Sequence, residues 1–159
     1  MDSRFIEQQG ERYKLRRATH EEVIDLRHRV LRAGLPRESA IFDGDTFPNT
    51  VHVIASKNNQ IVACATFLLN TYENRPAWQL RGMAVDETVR GTGIGAALLQ
   101  FGIQMLLEIS PVCEFWCNAR EPAVKFYERQ GWKIVSDRFE VPTADPHFRM
   151  HYLQTQQPL

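Results

Sequence analysis

Apolar residues recur along this chain at two spacings, and each spacing predicts a different kind of element. Alternation of apolar and polar residues, or a short β-branched run, predicts a strand, whereas apolar residues three and four positions apart predict an amphipathic helix. Strands are predicted over residues 13–16, 51–55, 61–67, 78–85, 111–117, 132–135 and 147–153. Helices are predicted after Thr19, from Ile94 to Ser110-Pro111, and between Pro122 and Gly131.

Local signals mark the ends of several elements. Thr19 and Glu22 form a capping box at the start of the first helix. Asn58-Asn59 predicts a tight turn that joins two strands into a hairpin, because asparagine tolerates the left-handed region. Residues 70–76 predict another turn before the next strand.

The order of these elements predicts an α/β fold. Strands and helices in this sequence order would form a mixed sheet with helices on both faces. Residues 35–50 show few periodic signals, so we predict a long loop or a short broken helix there. We treat residues 1–159 as one domain, in which 1–12 and 154–159 are predicted to be loose ends.

Composition narrows the classes of function. The chain has 19 basic and 19 acidic residues and a formal net charge of zero, whereas a DNA-binding module usually carries a basic excess. No apolar run approaches the length of a membrane span, and the polar N-terminus carries no signal-peptide core. Three cysteines, an odd number, favour reduced thiols. We therefore expect a cytoplasmic protein with neither a nucleic-acid nor a membrane partner.

A glycine-rich turn lies where the strand at 78–85 ends and the longest helix begins. The first N–H groups of a helix lack intrahelical acceptors and lie at the positive end of its dipole, so they favour phosphate. Glycines let an anion approach the backbone closely, although a plain strand–helix turn would also contain them. The predicted anion site, expected at the surface, consists of Arg90, Gly91, Thr92, Gly93, Ile94, Gly95 and Ala96.

Two other families of glycine loop fit less well. Gly91-x-Gly93-x-x-Ala96 matches the loose dinucleotide pattern, which needs an acidic residue about 20 positions later. The next strand ends without a carboxylate, and no Gly-Lys-Ser/Thr follows the loop as a Walker motif requires. A dinucleotide-dependent oxidoreductase is therefore the weakest of the functional hypotheses.

The arrangement Arg90-x-x-Gly93-x-Gly95 after an apolar strand resembles the acetyl-CoA loop of the GNAT N-acetyltransferases. Downstream, residues 118–120 and 123–132 resemble the second CoA-side motif of that superfamily, with its asparagine and its Phe-Tyr-Glu-x-x-Gly-Trp helix end. Together the two motifs cover about residues 78–135. The resemblance implies the GNAT-like acyl-CoA N-acyltransferase fold, with a mixed, mostly antiparallel sheet. In that fold two neighbouring strands splay apart and CoA enters the cleft.

The resemblance also implies roles for individual residues. The strand residues Met83, Ala84 and Val85 would pair with the pantetheine arm, in addition to packing in the core. Asn118 would hydrogen-bond the CoA arm, although an asparagine there could equally cap a turn. Tyr127 would protonate the leaving thiolate, and its competing interpretation is a packed aromatic residue.

No general base is evident from the sequence. The strand before the loop offers Gln79 and Arg81, and neither side chain is a plausible base at neutral pH. The remaining candidates, each also compatible with a solvated surface position, are Glu73, Glu114, Asp145, His52 and His147.

Cysteine and histidine pairs raise the question of a metal site. Cys113 and Cys117, with His147 and His151, have the residue types of a zinc site. However, zinc-finger pairs are usually separated by about 12–15 residues, and the gap here is much longer. We predict buried cysteines and no metal.

The resemblance implies an N-acetyltransferase that transfers acetyl from acetyl-CoA, its cosubstrate, to a primary amine of a small molecule or peptide. The alternative is a non-catalytic acyl-CoA-binding or sensing module on the same fold. A homodimer is compatible with the resemblance, because family members often dimerise. The segments expected to hold the acceptor carry both charges and favour neither: Arg32, Arg37, Asp43, Asp45, Asp137, Glu140 and Asp145.

Overall fold

The computed structural model describes residues 3–142 and 144–154. Its strands are β1 (Ser3–Gln8), β2 (Glu11–Ala18), β3 (Val51–Lys57), β4 (Gln60–Tyr72), β5 (Arg75–Val85), β6 (Glu114–Arg120), β7 (Lys133–Ile134) and β8 (His147–Leu153). Its helices are α1 (His20–Leu31), α2 (Ile94–Ile109) and α3 (Val124–Arg129). Short 3-10 turns cover Arg37–Ala40, Glu87–Val89 and Glu121–Ala123. No helix in these two described ranges is long and apolar enough to cross a membrane.

The strands form one sheet in the order β1-β2-β3-β4-β5-β6-β8-β7. Neighbouring strands are antiparallel throughout, except that β5 and β6 are parallel. The predicted α/β fold, with a mixed and mostly antiparallel sheet, is confirmed. The last strand of the chain, β8, lies between β6 and β7.

Side-chain alternation along the central strands builds a core on each face of the sheet. On β3, Val53 faces the larger core with Leu98 of α2, whereas Ile54 faces the smaller core with Val23 of α1. All four side chains are fully buried. Because successive strand residues point to opposite faces, the apolar run predicted at 51–55 needs a helix on each side.

The N-terminal segment forms a strand, contrary to the prediction of a loose end. β1 pairs with β2, and Ile6 lies opposite Tyr13. As an edge strand with exposed polar side chains, β1 lacks the apolar pattern on which the prediction depended. At the other end, the amide of Gln154 donates to the carbonyl of Cys113 at 2.9 Å, so this residue is held as well. Residues 1–2 and 155–159 lie outside the described residues.

One helix start has the predicted hydrogen bonds, and one turn is shorter than predicted. At the start of α1, the amide of Thr19 donates to the Glu22 carboxylate at 2.9 Å and the Glu22 amide donates back to the Thr19 hydroxyl, which confirms the capping box. The turn between β4 and β5 is tighter than predicted. It contains Glu73 and Asn74, which both have positive φ, and the strands extend up to it.

The segment between α1 and β3 is held against the sheet by the buried side chain of Arg27. Its guanidinium donates to the Asp45 carboxylate at 2.7 Å and to the Thr66 hydroxyl at 2.8 Å. It lies beside Gly82 on β5, where φ is +60° and an added Cβ would stand 2.6 Å from Arg27 Nε. The register between β4 and β5 shifts opposite this glycine. The predicted long loop therefore contains one 3-10 turn and is tied to the bulge in β5.

Candidate active-site cleft

A cleft opens where β5 and β6 separate after a short parallel contact. Trp78 lies opposite Phe115 and Gln79 lies opposite Trp116, and the strand pairing ends there. A cavity of about 370 Å³ lies beyond this point, between the diverging strands. The geometry is therefore the splayed pair of strands that the sequence resemblance implied.

Three of the predicted site residues line this one cavity. Met83 reaches it from β5, Asn118 from β6 and Tyr127 from α3. The predicted loop at 90–96 is not part of the cavity wall. It lies just beyond the end of β5, and Arg90 Nε donates to the carbonyl of Val85 at 3.1 Å. The cavity and the loop are thus connected along the last residues of β5.

The start of α2 has the geometry of an anion site. Gly93 is its N-cap with φ +88°, and Gly91 is exposed, with open space where a Cβ would project. A Cβ on Gly93 would approach Gln8 Oε1 at 3.2 Å. The Thr92 hydroxyl donates to the carbonyl of Val89 at 2.6 Å. The residues present fit a phosphate group, because exposed glycine backbone precedes the unpaired N–H groups of a 16-residue helix.

The prediction of a surface loop is wrong for its last turn. Ile94 and Gly95 are buried, and Ala96 is half-buried. A Cβ on Gly95 would stand 3.2 Å from Val85 Cγ2 and 3.5 Å from the Phe126 ring. Gly95 therefore permits α2 to pack closely against β5 and α3, and it can meet a ligand only through its backbone.

The end of β5 presents one free edge to the cleft. Its other edge is paired with β4, and the Asp86 amide donates to the Val62 carbonyl at 2.8 Å. Strand alternation then directs the amides of Met83 and Val85 towards the cleft. Their side chains pack against the larger core, while the Ala84 side chain is buried in the smaller core.

Tyr127 is a buried phenol at the wall of the cavity. Its ring centre lies 5.1 Å from that of Phe126 and 5.4 Å from that of Trp132. No hydrogen-bond partner for its hydroxyl occurs among residues 3–142 and 144–154. Burial raises the pKa of Tyr127 well above 10, and nearby Cys117 raises it further. The phenol is therefore a proton donor at neutral pH.

Asn118 lies on β6 at the opposite wall. Its side-chain oxygen accepts a hydrogen bond from Arg149 Nε at 3.1 Å. This bond fixes the orientation of the amide group, so its N–H₂ is the end that remains to meet a ligand. The arrangement is compatible with the predicted contact to an amide-rich CoA arm.

The candidates for a general base differ sharply in position. Hydrogen bonds from Arg75 lower the pKa of Glu114 to about 2, with a further contribution from His151, so Glu114 is a poor base. Burial lowers the pKa of His52, whose two ring nitrogens are engaged by Thr66 and by the Asp45 carbonyl. Neither of these residues lines the cavity, and Glu73 and Asp145 do not line it either.

His147 is the candidate that does line the cavity. Its Nδ1 lies 2.6 Å from the backbone carbonyl of Asp145. A carbonyl can only accept, so Nδ1 carries the hydrogen, and neutral His147 then has its lone pair on Nε2. The ring stacks on Phe139 with centres 5.8 Å apart, which holds its orientation.

The cysteine and histidine pairs do not converge. Cys117 faces the larger core with Met150, whereas His151 points to the other face, where Nε2 lies 2.6 Å from Glu114 Oε2. The sheet therefore separates Cys117 from His151. The residues that the structure describes contain no group of three or more His, Cys, Asp or Glu able to hold a metal.

Sequence reasoning did not identify the basic wall of the cavity. Arg81 and Arg120 line it beside Arg32 at the end of α1, and Phe42 contributes its ring. Each arginine comes from a different part of the chain and resembles any surface arginine in the sequence. Their convergence depends on which strand ends are neighbours, so no local signal could have identified it.

The comparisons with known proteins agree with this geometry. The family model of the acetyltransferase (GNAT) domain matches residues 48–134. The uncharacterized N-acetyltransferase YitI of Bacillus subtilis is 28% identical over 137 residues, which cover 82% of this chain and 89% of that protein.

Solved structures show the same fold at low identity. Escherichia coli ElaA superposes with a TM-score of 0.73 and 19% identity, covering 87% of this chain and 98% of that one. An aminoglycoside 6'-N-acetyltransferase in complex with coenzyme A superposes with a TM-score of 0.69 and 16% identity, covering 87% and 92%. Because the family model matches more than half of the chain, the chain belongs to the GNAT acetyltransferase family and is an acyltransferase.

Proposed function

We propose that this enzyme transfers the acetyl group of acetyl-CoA to a primary amine. The observation that carries the proposal is the cleft between β5 and β6, which has Tyr127 in its wall and leads along β5 to the N-terminus of α2. A structural neighbour of the same fold is an N-acetyltransferase complexed with coenzyme A, which supports CoA as the carrier. The proposal treats residues 1–159 as one N-acetyltransferase domain.

The pyrophosphate of CoA would bind at the start of α2. Arg90 and the backbone N–H groups of residues 91–96 supply positive charge and donors there. The free edge of β5 at Met83 and Val85 would pair with the amides of the pantetheine arm, as an added strand does. Asn118 would bind the same arm from β6. These contacts would place the thioester beside Tyr127.

The reaction needs one proton removed and one supplied. The amine nitrogen attacks the thioester carbonyl carbon, a C–N bond forms, and the C–S bond breaks. We assign removal of the amine proton to Nε2 of His147, because its Nδ1 is bound to the Asp145 carbonyl. We assign protonation of the leaving thiolate to the hydroxyl of Tyr127. The products are the acetylated amine and the CoA thiol.

The raised pKa of Tyr127 does not prevent this proton transfer. Burial disfavours the phenolate, and burial in the same cleft disfavours the thiolate as well. Burial therefore disfavours both anions and shifts the pKa of the phenol and of the thiol in the same direction. A thiolate released against this wall gains a proton from the nearest buried donor.

Acetyl transfer can be measured directly with the purified protein. Incubation with acetyl-CoA and a panel of amines should release CoA thiol and yield an acceptor heavier by one acetyl group, detected by mass spectrometry. Acetyl-CoA, but not NAD, should raise the melting temperature, since a ligand at a hundredfold excess over its Kd stabilises the fold by about 2.7 kcal/mol. Binding of acetyl-CoA without thiol release on any amine would contradict the proposed reaction.

A further inference from the structure

Three arginines converge on the face of the cleft that carries α1. Arg32 caps the end of α1, Arg81 lies on β5, and Arg120 ends β6. The guanidinium groups of Arg32 and Arg120 both donate to the carbonyl of Leu31, at 3.1 and 3.2 Å. Those of Arg32 and Arg81 lie 5.0 and 5.1 Å from the centre of the Phe42 ring. The three side chains therefore form one positive wall, here called the arginine wall.

The arginine wall has no carboxylate partner among the described residues. The hydrogen bonds of its guanidinium groups go to backbone carbonyls, namely those of Leu31 and, at 2.9 Å from Arg81 Nη1, Asp43. No aspartate or glutamate is among the described residues that line the cavity. Three like charges thus face one cavity without a counter-charge in its wall.

Three acidic side chains near the cavity form ion pairs outside it. Asp45 is paired with the buried Arg27, and Glu121 and Glu140 are paired with Arg138. None of the acidic residues in the segments expected to hold the acceptor lines the cavity, and two of them, Asp45 and Glu140, pair with arginines outside it, whereas Arg32 remains at the wall. The sequence expectation that neither charge is favoured does not hold for the cavity itself.

Repulsion among the three arginines of the arginine wall destabilises the folded state. Burial lowers the pKa of Arg32, and the charges of Arg120, Arg27 and Arg81 lower it further. The C-terminus of α1 offsets part of this charge, since a helix end carries about half a negative charge. The half negative charge of the helix end is small beside the three positive charges of the arginine wall. An anion entering the cavity would neutralise the excess.

We propose that the acceptor amine belongs to a molecule that also carries a carboxylate or a phosphate, and that Arg32, Arg81 and Arg120 bind this anion. The inference rests on the acetyl-transfer function proposed above and adds the substrate class. Guanidinium groups bind both anions through paired N–H donors. An acceptor held in this way would extend its amine across the cavity towards His147 and Tyr127, which line the same space.

Matched acceptors test the charge requirement on the unmodified enzyme. Glycine is compared with glycinamide, lysine with cadaverine, and phosphoethanolamine with ethanolamine, so each pair differs in the anion. We expect kcat/KM to be at least about tenfold higher for the anionic member, because hydrogen bonds between a guanidinium group and an anion are among the stronger ones in proteins. The amino-acid pairs and the phosphate pair show separately which anion is preferred. Added salt should raise KM for anionic acceptors and leave it unchanged for neutral ones.

Single substitutions test whether these arginines bind the anion of the acceptor. Arg81→Gln and Arg120→Gln should each lower kcat/KM for the anionic acceptor by about 10–100-fold, chiefly by raising KM. Each variant should change kcat/KM for the neutral acceptor by less than about threefold. Acetyl-CoA affinity should stay unchanged. The matched control is Arg17→Gln, which removes an exposed arginine on β2, separated from β5 by two strands. It should behave as wild type.

The possible failures are distinguishable. If no amine of either charge is acetylated, the proposed function fails. If amines are acetylated but the neutral or cationic member of each pair is preferred, acetyl transfer stands and the anion inference is overturned. A variant that loses activity on charged and neutral acceptors alike would indicate a purely structural arginine. The acceptor pairs and the salt dependence on wild-type enzyme decide the question even where a variant fails to fold.

Discussion

The side-chain amide of Gln9 donates a hydrogen bond to the backbone carbonyl of Gly91, at 3.2 Å. Gln9 lies at the tip of the β1–β2 hairpin, and Gly91 lies in the candidate phosphate loop, 82 residues later. The segment expected from the sequence to be loose thus braces the loop. Gln8 of the same hairpin lies against Gly93.

Removing this brace should weaken CoA binding modestly. We expect Gln9→Ala to raise the Kd for acetyl-CoA by about two- to tenfold, because the loss of one exposed hydrogen bond, worth about 0.5–1.5 kcal/mol, lets the loop sample more conformations. Calorimetric titration measures this change. Gln60→Ala, at the tip of the β3–β4 hairpin, is the matched control and should bind as wild type. Equal affinity of all three proteins would show that the loop is formed without the hairpin.

Two of the three glycines of the loop, Gly93 and Gly95, should respond differently to glutamate. Gly93→Glu places an anion at the exposed N-cap of α2, so acetyl-CoA affinity should fall at least about 100-fold while the fold survives. Gly34→Glu introduces the same residue at a similar positive φ with open space around it, and should leave binding intact.

Gly95→Glu should destabilise the whole fold, because the new side chain would meet Val85 and Phe126 in a buried position. Thermal melts without ligand measure this difference. Normal melting of Gly95→Glu would show that α2 can move away from β5, and unimpaired binding by Gly93→Glu would place the phosphate site elsewhere.

Loss of the Tyr127 hydroxyl should slow turnover without affecting CoA binding. We expect Tyr127→Phe to lower kcat by about 10²–10⁴-fold, the usual contribution of a general acid, at nearly constant acetyl-CoA affinity. Tyr152→Phe is the matched control, because the Tyr152 hydroxyl donates to Gln154 outside the cavity wall. Wild-type turnover in Tyr127→Phe, with acetyl transfer rate-limiting, would leave Tyr127 as a packed aromatic.

The pH dependence of this variant follows from the burial of the phenol. A raised pKa keeps Tyr127 protonated. Its hydroxyl can therefore still donate a proton when the pH reaches 10.0, the ordinary pKa of tyrosine. Any loss of kcat below that pH therefore belongs to another group, and it should persist in Tyr127→Phe. If this loss of kcat at high pH disappears in Tyr127→Phe, the pKa of the phenol lies in the ordinary range of tyrosine.

A methyl group at Gly82 should cost more than the same methyl group at Gly34. Both glycines have positive φ, so alanine carries a backbone penalty of about 1–2 kcal/mol at each. At Gly82 the new Cβ would also stand 2.6 Å from Arg27 Nε and 3.1 Å from the Phe42 ring, whereas Gly34 has open space. Overpacking should add about 1–3 kcal/mol, seen as a melting temperature several degrees lower than that of Gly34→Ala. Equal melting temperatures would mean that Arg27 shifts freely.

Much of this fold is determined by local sequence. The capping box at Thr19, the hairpin at Asn58-Asn59 and the helix from Ile94 each depend on neighbouring residues, so their patterns predicted them. The loop and the motif around Tyr127 are also contiguous, which allowed the family to be identified from residue types and order. Edge strand β1 was missed because its stability comes from pairing with β2 rather than from an apolar face of its own.

The charge of the cleft was decided by the tertiary structure alone. Arg32, Arg81 and Arg120 come from three elements, and only the separation of β5 from β6 brings them to one cavity. The same folding removes Asp45 from the cavity by pairing it with Arg27, and it divides Cys117 from His151 by one sheet. Charge pairing and side-chain direction depend on which distant residues become neighbours, and a linear sequence of residue types does not contain that information.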